Sequence, residues 1–367
     1  MLTTFAPCIK EDIRLKSVAT ERKYKGVDSV ATIKTQPYTQ ISFNPSNSRI
    51  NRFWRSYSIF LAEQSNRVKE TCEELIQRRQ LRSHGDAPFG LYIADWLSEP
   101  FWPTLTEDWL DQLTQGYIYL YLYGLFVDDF NDSSILPNRD SMPSAAHAHL
   151  LRATLLMSAS CCQPLTYLRQ FEILHTRFLS GDGEDMDYYH SCKTPEAPAW
   201  EYYILKCSLP KAILFVLRDR TENSHACDLL ASAYDAAALG FCLIDDVTDW
   251  ENDFINGRTT YPIAKAFTQR NGSFIDDGIL REDVVGLLGK ALYRSGAIKD
   301  NLVLAIPHLE KSQSLFEKVG AKSWASLTHR TSHNAKHICQ ILENWPLEDS
   351  WDICRIDRLI RESFATS

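Results

Sequence analysis

The sequence predicts an all-α protein, organised as a single bundle of about ten helices with short connections. Apolar residues recur at helical spacing over most of the 367 residues, as in the stripe formed by Phe53, Tyr57 and Phe60. No segment shows the sustained alternation of a β-strand, and there is neither a glycine-rich phosphate loop nor an internal repeat. These three observations leave a helical bundle as the predicted architecture.

The order of the elements follows from the pattern and from the residues that break it. Residues 1–50 are polar and rich in Thr and Ser, so we expect a partly ordered arm before a helical domain that spans residues 51–367. Prolines between 86 and 104 and between 131 and 143 predict loops or short pieces, and Pro210 predicts a kink. The predicted helices are 51–83, 106 to the acidic segment at 128, 144–161, 164–180, 198–218, 222–253, 282–295, 297–318, 321–343 and 350–363.

Composition restricts the kind of partner and the compartment. The net charge of −8 leaves no basic stripe for phosphates, so we expect no nucleic-acid partner. An acidic protein that acts on an anionic substrate would need a metal ion between the two. The ten cysteines form no CxxC pair, which indicates a reducing cytoplasm. Neither a run of about 18 apolar residues nor a signal-peptide core occurs, so we expect no transmembrane segment and a cytoplasmic location.

An apolar run that ends in carboxylates, residues 241–253, is the most informative segment. Asp245, Asp249 and Asp253 follow one another at i, i+4 and i+8, and so would lie on one face of a helix. Like charges at this spacing destabilise a helix by a few tenths of a kcal/mol. A cation among them would remove the repulsion, and oxygen ligands of this kind are those that Mg²⁺ prefers.

A second acidic segment has the same design. The aromatic run of residues 117–127 leads into Asp128 and Asp129, and Asp132 lies four residues beyond Asp128. Acids at a helix C-terminus oppose the macrodipole, so a positive partner is again expected. A single cluster of this kind is usually a solvated helix end, and neither cluster has the glycine and closing Glu of an EF-hand. Two clusters, each after an apolar helix, favour a shared metal site.

With two acidic motifs in a predicted helical bundle, residues 55–345 resemble the class I isoprenoid synthases. This group includes trans-prenyl diphosphate synthases, squalene and phytoene synthases, and class I terpene cyclases. The resemblance implies a single class I terpenoid-synthase domain, in which the helices surround a central active-site cavity. The DDxxD motif of the group is matched by Asp128, Asp129 and Asp132, which are thereby implied to be metal ligands.

The second motif can be aligned with this group in two ways. In the terpene cyclase pattern the metal ligands are Asp245, Asp249 and Asp253, with Asp in place of the usual Ser or Thr and of the usual Glu. In the prenyltransferase DDxxD pattern they are Asp245, Asp246 and Asp249. All four acids are therefore candidate metal ligands. The candidate catalytic residues are Asp128 and Asp129 of the first motif and Asp245 and Asp249 of the second.

Basic and aromatic residues complete the site that the resemblance implies. Gly181–Asp187 is similar to a prenyltransferase Gly-x-x-x-Asp segment, and residues 201–206 are similar to the helix whose basic residue contacts diphosphate. Aromatic faces could stabilise a carbocation, although such stripes are more often plain core, and lysines often lie on a solvated surface. The candidate diphosphate-binding residues are Lys206, Arg258, Arg330 and Lys336. The candidate aromatic residues of the cavity are Phe89, Trp96, Tyr121, Phe126 and Phe241.

These features together predict a Mg²⁺-dependent class I terpene cyclase, which would ionise a C15 or C20 prenyl diphosphate, cyclise the carbocation and release diphosphate. Chain-elongating synthases hold their second substrate with a Gly-Lys-x-Arg segment and paired arginines after the first motif, and neither is visible here. The alternatives are a trans-prenyltransferase that uses two prenyl diphosphates, and a non-catalytic helical metal-binding protein. We expect three Mg²⁺ ions, or Mn²⁺ in their place, a prenyl diphosphate as partner, and a homodimer as one option.

Overall fold

The computed structural model describes residues 44–82, 88–132, 138–190, 200–255, 258–268, 281–344 and 350–364. All of them belong to the unit formed by Gln40–Ser367. Over these ranges the chain consists of helices and their connections without a strand, which confirms the predicted all-α class. The helices are α1 (Asn44–Ala62), α2 (Asn66–Arg78), α3 (Ile93–Ser98), α4 (Glu107–Asp132), α5 (Met142–Ala159), α6 (Pro164–His190), α7 (Trp200–Lys206), α8 (Ala212–Thr221), α9 (Ser224–Thr248), α10 (Trp250–Ile255), α11 (Tyr261–Thr268), α12 (Arg281–Arg294), α13 (Ala297–Val319), α14 (Lys322–Asn344) and α15 (Ser350–Phe364).

The core is organised around α9. Its first half packs mainly with the helices that precede it, and its second half packs with α10–α15. It lies along α13, which in turn packs on α14, while α4 lies along α5. By length and composition α9 could cross a membrane, but 61% of its most apolar window is buried inside the protein. Its apolar character is therefore explained by its central place in the core.

Several boundaries differ from the predicted ones. The predicted helix 51–83 is two helices, because Ser65 caps α2 by accepting a hydrogen bond from the Val68 N–H at 3.4 Å. Residues 44–50 of the predicted arm form the first turns of α1, and residues 1–43 lie outside the described residues. α6 continues through Gly181, where an end is predicted. The kink at Pro210 is a complete break between α7 and α8, and α11 has no counterpart among the predicted helices.

The predicted helix 222–253 also ends early, and this changes the second motif. α9 stops at Thr248, and Asp249 has the non-helical dihedrals φ −115° and ψ 10°. Its N–H still bonds to the Asp245 carbonyl at 2.9 Å, but Asp253 belongs to the separate helix α10. The expectation that the three acids share one face of a continuous helix is therefore wrong.

A buried tryptophan explains where α9 ends. Trp250 is 5% exposed and is the first residue of α10. Its indole Nε1 donates a hydrogen bond to Asp357 Oδ1 on α15 at 2.9 Å. The same ring lies so close to Gly289 of α12 that a Cβ there would be 3.1 Å from it. We attribute the break at Asp249 to the docking of this side chain on two later helices.

A buried ion pair should make α1 essential for stability. The Arg49 side chain is 1% exposed and donates to Asp95 of α3 at 2.9 Å and to Glu107 of α4 at 2.7 Å. Arg49→Met would leave the buried Asp95 carboxylate without its cation, so we expect a loss of about 3–5 kcal/mol in the free energy of unfolding. Urea denaturation measures this. The control is Arg52→Met, since Arg52 is half-exposed, and its bond to Asp111 at 2.9 Å should contribute less than about 1 kcal/mol. Equal losses in both variants would contradict the prediction.

Candidate active site

Acids of the two motifs lie close together, and we call the solvent-exposed space beside Asp245 the cleft. Burial among protein atoms and the charges of Asp249 and Asp128 raise the pKa of Asp245 to about 6. Asp245 belongs to the second motif and Asp128 to the first, so the two motifs lie within electrostatic range. Asp245 is nevertheless exposed to the solvent of the cleft. Lys206 and Arg79 lower its pKa only in part, so a further cation would be favourable here.

The acids of the second motif fall into two groups. Asp245 is exposed and Asp249 is partly exposed, so both can meet a ligand in the cleft. Asp246 is 5% exposed and accepts a hydrogen bond from the Tyr203 hydroxyl at 2.7 Å. Asp253 is 8% exposed, with a carboxylate oxygen 3.8 Å from Arg258 Nη1. The structure thus brings Asp245 and Asp249 to the cleft and holds the other two acids among protein groups.

Two arginines from α2 bind the first motif. Asp129 is 4% exposed, and its two oxygens lie 2.5 Å from Arg78 Nη2 and 2.5 Å from Arg79 Nη2. Arg79 also donates to Asp128 at 3.0 Å. Burial alone would lower the pKa of Arg79, but the charges of Asp129 and Asp128 outweigh it and raise that pKa above its usual value. Asp132 lies in the last turn of α4, and its side chain is outside the described part of the chain.

Sequence reasoning missed these arginines. α2 is amphipathic: it buries Cys72, Leu75 and Ile76, and it ends with Arg78 in its last turn and Arg79 just beyond. Basic residues at a helix C-terminus also suit the macrodipole. The only signal was an arginine pair after an amphipathic helix, which by itself indicates a solvated helix end.

Lys206 is brought to the site by close packing of two helices. It is the last residue of α7, and its Nζ lies 3.7 Å from Asp128 Oδ1. α7 lies along α6, and a Cβ at Gly181 would overlap the Leu205 side chain. The glycine of the predicted Gly-x-x-x-Asp segment therefore permits the approach that positions Lys206. The segment is helical, and its side chains from 182 to 187 lie outside the described residues.

A cavity of about 280 Å³ opens beside the first motif. Its interior is apolar and aromatic, and Asp128 and Lys206 are its charged residues. Three of the five predicted aromatic residues line it: Phe89, Tyr121 and Phe241. The complete lining is Phe89, Gly90, Ile93, Tyr117, Leu120, Tyr121, Gly124, Leu125, Asp128, Phe178, Lys206, Cys207, Leu209, Pro210, Tyr234, Ala238, Phe241 and Trp324.

Aromatic rings form one wall of this cavity. The centroid of Phe89 is 5.7 Å from that of Phe241 and 6.4 Å from that of Trp324. Trp324, on α14, is 1% exposed, and sequence reasoning did not single it out. Trp96, which is predicted for the cavity, lies behind this wall with its ring 5.7 Å from Trp324. Phe126, also predicted, packs on the far side of α4, 5.1 Å from the His149 ring of α5.

The hydroxyl groups in the cavity are neutral phenols. Burial raises the pKa of Tyr121 to about 12, and it raises the pKa values of Tyr117 and Tyr234 well above their usual range. The Tyr121 ring fits over Gly90, where a Cβ would lie 2.5 Å from its Cζ. The tyrosines of the interior are therefore uncharged at neutral pH. The charged residues of the cavity, Asp128 and Lys206, lie together at one end.

The other predicted basic residues lie in different places. Arg258 is close enough to Asp128 for that charge to raise its pKa in part, although burial lowers it overall. Arg330 is half-buried on α14 and is not part of the cavity lining. Lys336 is half-exposed on the same helix and pairs with Glu310 of α13. The structure therefore brings Lys206 and Arg258, but not Lys336, to the first motif.

Solved structures of other proteins resemble this arrangement of helices. A polyprenyl synthase from Caulobacter crescentus, complexed with calcium and isoprenyl diphosphate, has a TM-score of 0.62 at 16% identity, over 79% of this chain and 96% of that chain. A geranylgeranyl pyrophosphate synthase from Lactobacillus brevis has a TM-score of 0.64 at 12% identity, over 80% and 98%. An octaprenyl pyrophosphate synthase from Helicobacter pylori has a TM-score of 0.61 at 13% identity, over 78% and 99%.

The likeness lies in the structure rather than in the sequence. No protein-family model matches the chain, and no curated protein matches its sequence. The three solved structures, a polyprenyl, a geranylgeranyl pyrophosphate and an octaprenyl pyrophosphate synthase, are nevertheless covered almost completely. The chain therefore has the fold of the class I isoprenoid synthases, as its two acidic motifs predict.

Proposed function

We propose that this chain is a divalent-metal-dependent prenyltransferase, which joins the hydrocarbon chain of an allylic prenyl diphosphate to a second prenyl diphosphate. The observation that carries the proposal is an aromatic, apolar cavity whose charged end lies between two acidic motifs and three basic side chains. The fold neighbours support the transferase alternative over the predicted cyclase, because those named are a polyprenyl, a geranylgeranyl pyrophosphate and an octaprenyl pyrophosphate synthase.

The arginine pair of α2 supports a second anionic substrate. In the sequence, the absence of a Gly-Lys-x-Arg segment favours a cyclase, because that segment holds the second substrate of chain-elongating synthases. Arg78 and Arg79 lie beside the first motif, where each contacts Asp129 at 2.5 Å. Two guanidinium groups can bind diphosphate oxygens in a forked geometry. They offer a place for a second diphosphate that the sequence motif alone does not reveal.

The carboxylates fit a divalent metal that is shared with a diphosphate. Among the described residues, no three His, Cys, Asp or Glu side chains form a ready-made metal site. Burial first, and then the charges of Asp249 and Asp128, raise the pKa of Asp245, so a cation beside this carboxylate would be favourable. Bound Mg²⁺ would complete its shell with diphosphate oxygens and neutralise the charge that develops on them. We assign Asp128, Asp132, Asp245 and Asp249 as its ligands. Asp129, Asp246 and Asp253 are buried and held by protein groups, so we assign them as residues that position the two motifs.

The chain's own residues would perform the rest of the chemistry. Lys206 and Arg258 would receive the leaving diphosphate at the charged end of the cavity. The faces of Phe89, Phe241 and Trp324 would stabilise the allylic cation, by about 0.5–2 kcal/mol each when water is excluded. The cavity of about 280 Å³ lies at the lower end of the usual range for small-molecule sites, roughly 300–1,000 Å³, which favours the shorter prenyl chains.

Product analysis tests the proposal. The full-length protein is incubated with Mg²⁺ and allylic diphosphates of ten, fifteen and twenty carbons, with and without isopentenyl diphosphate, and the products are identified by mass spectrometry. A longer diphosphate that forms only when isopentenyl diphosphate is present is the expected result. A cyclic hydrocarbon or alcohol from one substrate would overturn the transferase in favour of the cyclase. Metal binding with no turnover of any substrate would overturn both.

A further inference from the structure

Two cysteine side chains meet beside the cavity, and one of them lines it. Cys207 directly follows Lys206 at the end of α7, and Cys242 lies on α9 one turn before Asp245. Their Sγ atoms are 3.5 Å apart, which is van der Waals contact. Both are reduced thiols, and both are partly buried. Cys207 also lines the cavity, so a small molecule in the cavity can reach it.

A bond between the two sulfur atoms requires only a small movement, and Cys207 lies beyond the end of a helix. A disulfide needs an S–S distance of about 2.05 Å, so the sulfur atoms must approach by about 1.5 Å. The N–H of Cys207 bonds to the Tyr203 carbonyl at 3.1 Å, and α7 has already ended at Lys206. The chain then enters the short turn Leu209–Lys211, which contains Pro210. Cys207 thus lies in a connection, while Cys242 is held in the central helix.

We infer that Cys207 and Cys242 form a dithiol modification site, which closes to a disulfide by exchange with a low-molecular-weight disulfide that enters the cavity. The thiolate of Cys207 attacks one sulfur of the reagent and releases one thiol, which leaves a mixed disulfide on the protein. The sulfur of Cys242 then attacks the Cys207 sulfur and releases the second thiol. Two cysteine thiols are oxidised, the reagent is reduced to two thiols, and the two cysteine protons end on those thiols.

Closure would act on the proposed active site, and this part of the inference rests on the proposed function. The new bond would tie α7 to α9, and so would fix Lys206 relative to Asp245. It would also pull the Cys207 side chain out of the cavity lining. We therefore expect the closed form to lose turnover and to regain it after treatment with dithiothreitol. A prenyl diphosphate in the cavity should slow closure, because it covers Cys207.

Peptide mapping tests the site without reference to activity. The full-length protein is treated with bis(2-hydroxyethyl) disulfide and digested without reduction. The expected result is a linked peptide pair that contains Cys207 and Cys242 and has lost two hydrogen atoms. Cys207→Ser and Cys242→Ser should each abolish that pair, whereas Cys161→Ser, which changes a half-buried cysteine on α5's C-terminal side, should retain it.

The result that would overturn the inference is a map without this linked pair, or with the two cysteines present only as separate mixed disulfides. Circular dichroism checks that each serine variant is folded, and Cys242→Ala replaces Cys242→Ser if the hydroxyl prevents folding. The map needs no substrate. A linked pair in a protein with no prenyltransferase activity would therefore contradict the proposed function and still support the dithiol site.

Discussion

Asp245→Asn should lower kcat for diphosphate release by roughly 10²–10³-fold, the effect expected when one group that stabilises developing charge is removed. The substitution keeps the shape of the side chain and removes the charge that faces Asp249 and Asp128. Turnover is measured at saturating Mg²⁺ and substrate, with circular dichroism to check the fold. The matched control is Asp228→Asn on the same helix, where the carboxylate is 65% exposed and pairs with Arg218. Full activity of Asp245→Asn would show that this acid is not at the reacting centre.

The raised pKa of Asp245 gives the same variant a signature that does not depend on activity. The folded protein binds the Asp245 proton with a pKa of about 6, and the ordinary value is 3.8. The folded state therefore holds this proton more tightly, so this group adds stability as the pH falls from about 6 towards 4. His149 acts in the opposite direction, because burial lowers its pKa to about 4. The difference between the urea midpoints of wild type and Asp245→Asn isolates the contribution of Asp245, and it should shrink as the pH falls from 7 to 5.

Arg79→Met should change metal binding and catalysis in opposite directions. Arg79 donates to Asp128, a proposed metal ligand, and to Asp129 beside it, so its removal should increase the affinity for Mg²⁺ alone. In turnover, the substitution removes one hydrogen-bond donor to the diphosphate. Hydrogen bonds to charged groups contribute about 1.5–3 kcal/mol, so we expect kcat/KM to fall roughly 10–100-fold.

Arg82→Met is the control for this prediction. Arg82 is on the same stretch of chain, but its guanidinium lies 4.6 Å above the Trp54 ring. Its loss should leave both the Mg²⁺ affinity and kcat/KM close to wild type. A parallel loss of metal affinity and turnover in Arg79→Met would indicate that the arginine supports the shape of the motif, and that it neither competes with metal nor binds diphosphate.

The fold could be predicted because its signals are local. The apolar stripes of α1 and α13 and the prolines between 86 and 104 are visible within short windows of sequence. The acidic motifs are equally local, and it is the presence of two such clusters, each after an apolar helix, that favours a shared metal site. The position of the bundle's cavity beside the first motif follows once those helices are assigned to one fold.

The parts that sequence reasoning missed depend on contacts between distant residues. Arg79 and Asp129 are 50 residues apart, and nothing in either segment indicates that the end of α2 meets the end of α4. The break at Asp249 depends on Trp250 docking to Asp357, which lies 107 residues away. Trp324 belongs to a helix that carries no motif, so its place in the cavity wall could not be inferred from the pattern of its neighbours.

The central claim is that the two acidic motifs form one site for metal and diphosphate together, and a calorimetric titration tests it most directly. Mg²⁺ is titrated into the protein in the presence and absence of inorganic diphosphate, with wild type, Asp245→Asn and Asp228→Asn compared. We predict that diphosphate tightens Mg²⁺ binding by roughly 5–150-fold in wild type and in Asp228→Asn, and that Asp245→Asn loses most of this coupling. Equal Mg²⁺ affinity with and without diphosphate in the wild-type protein would contradict the account.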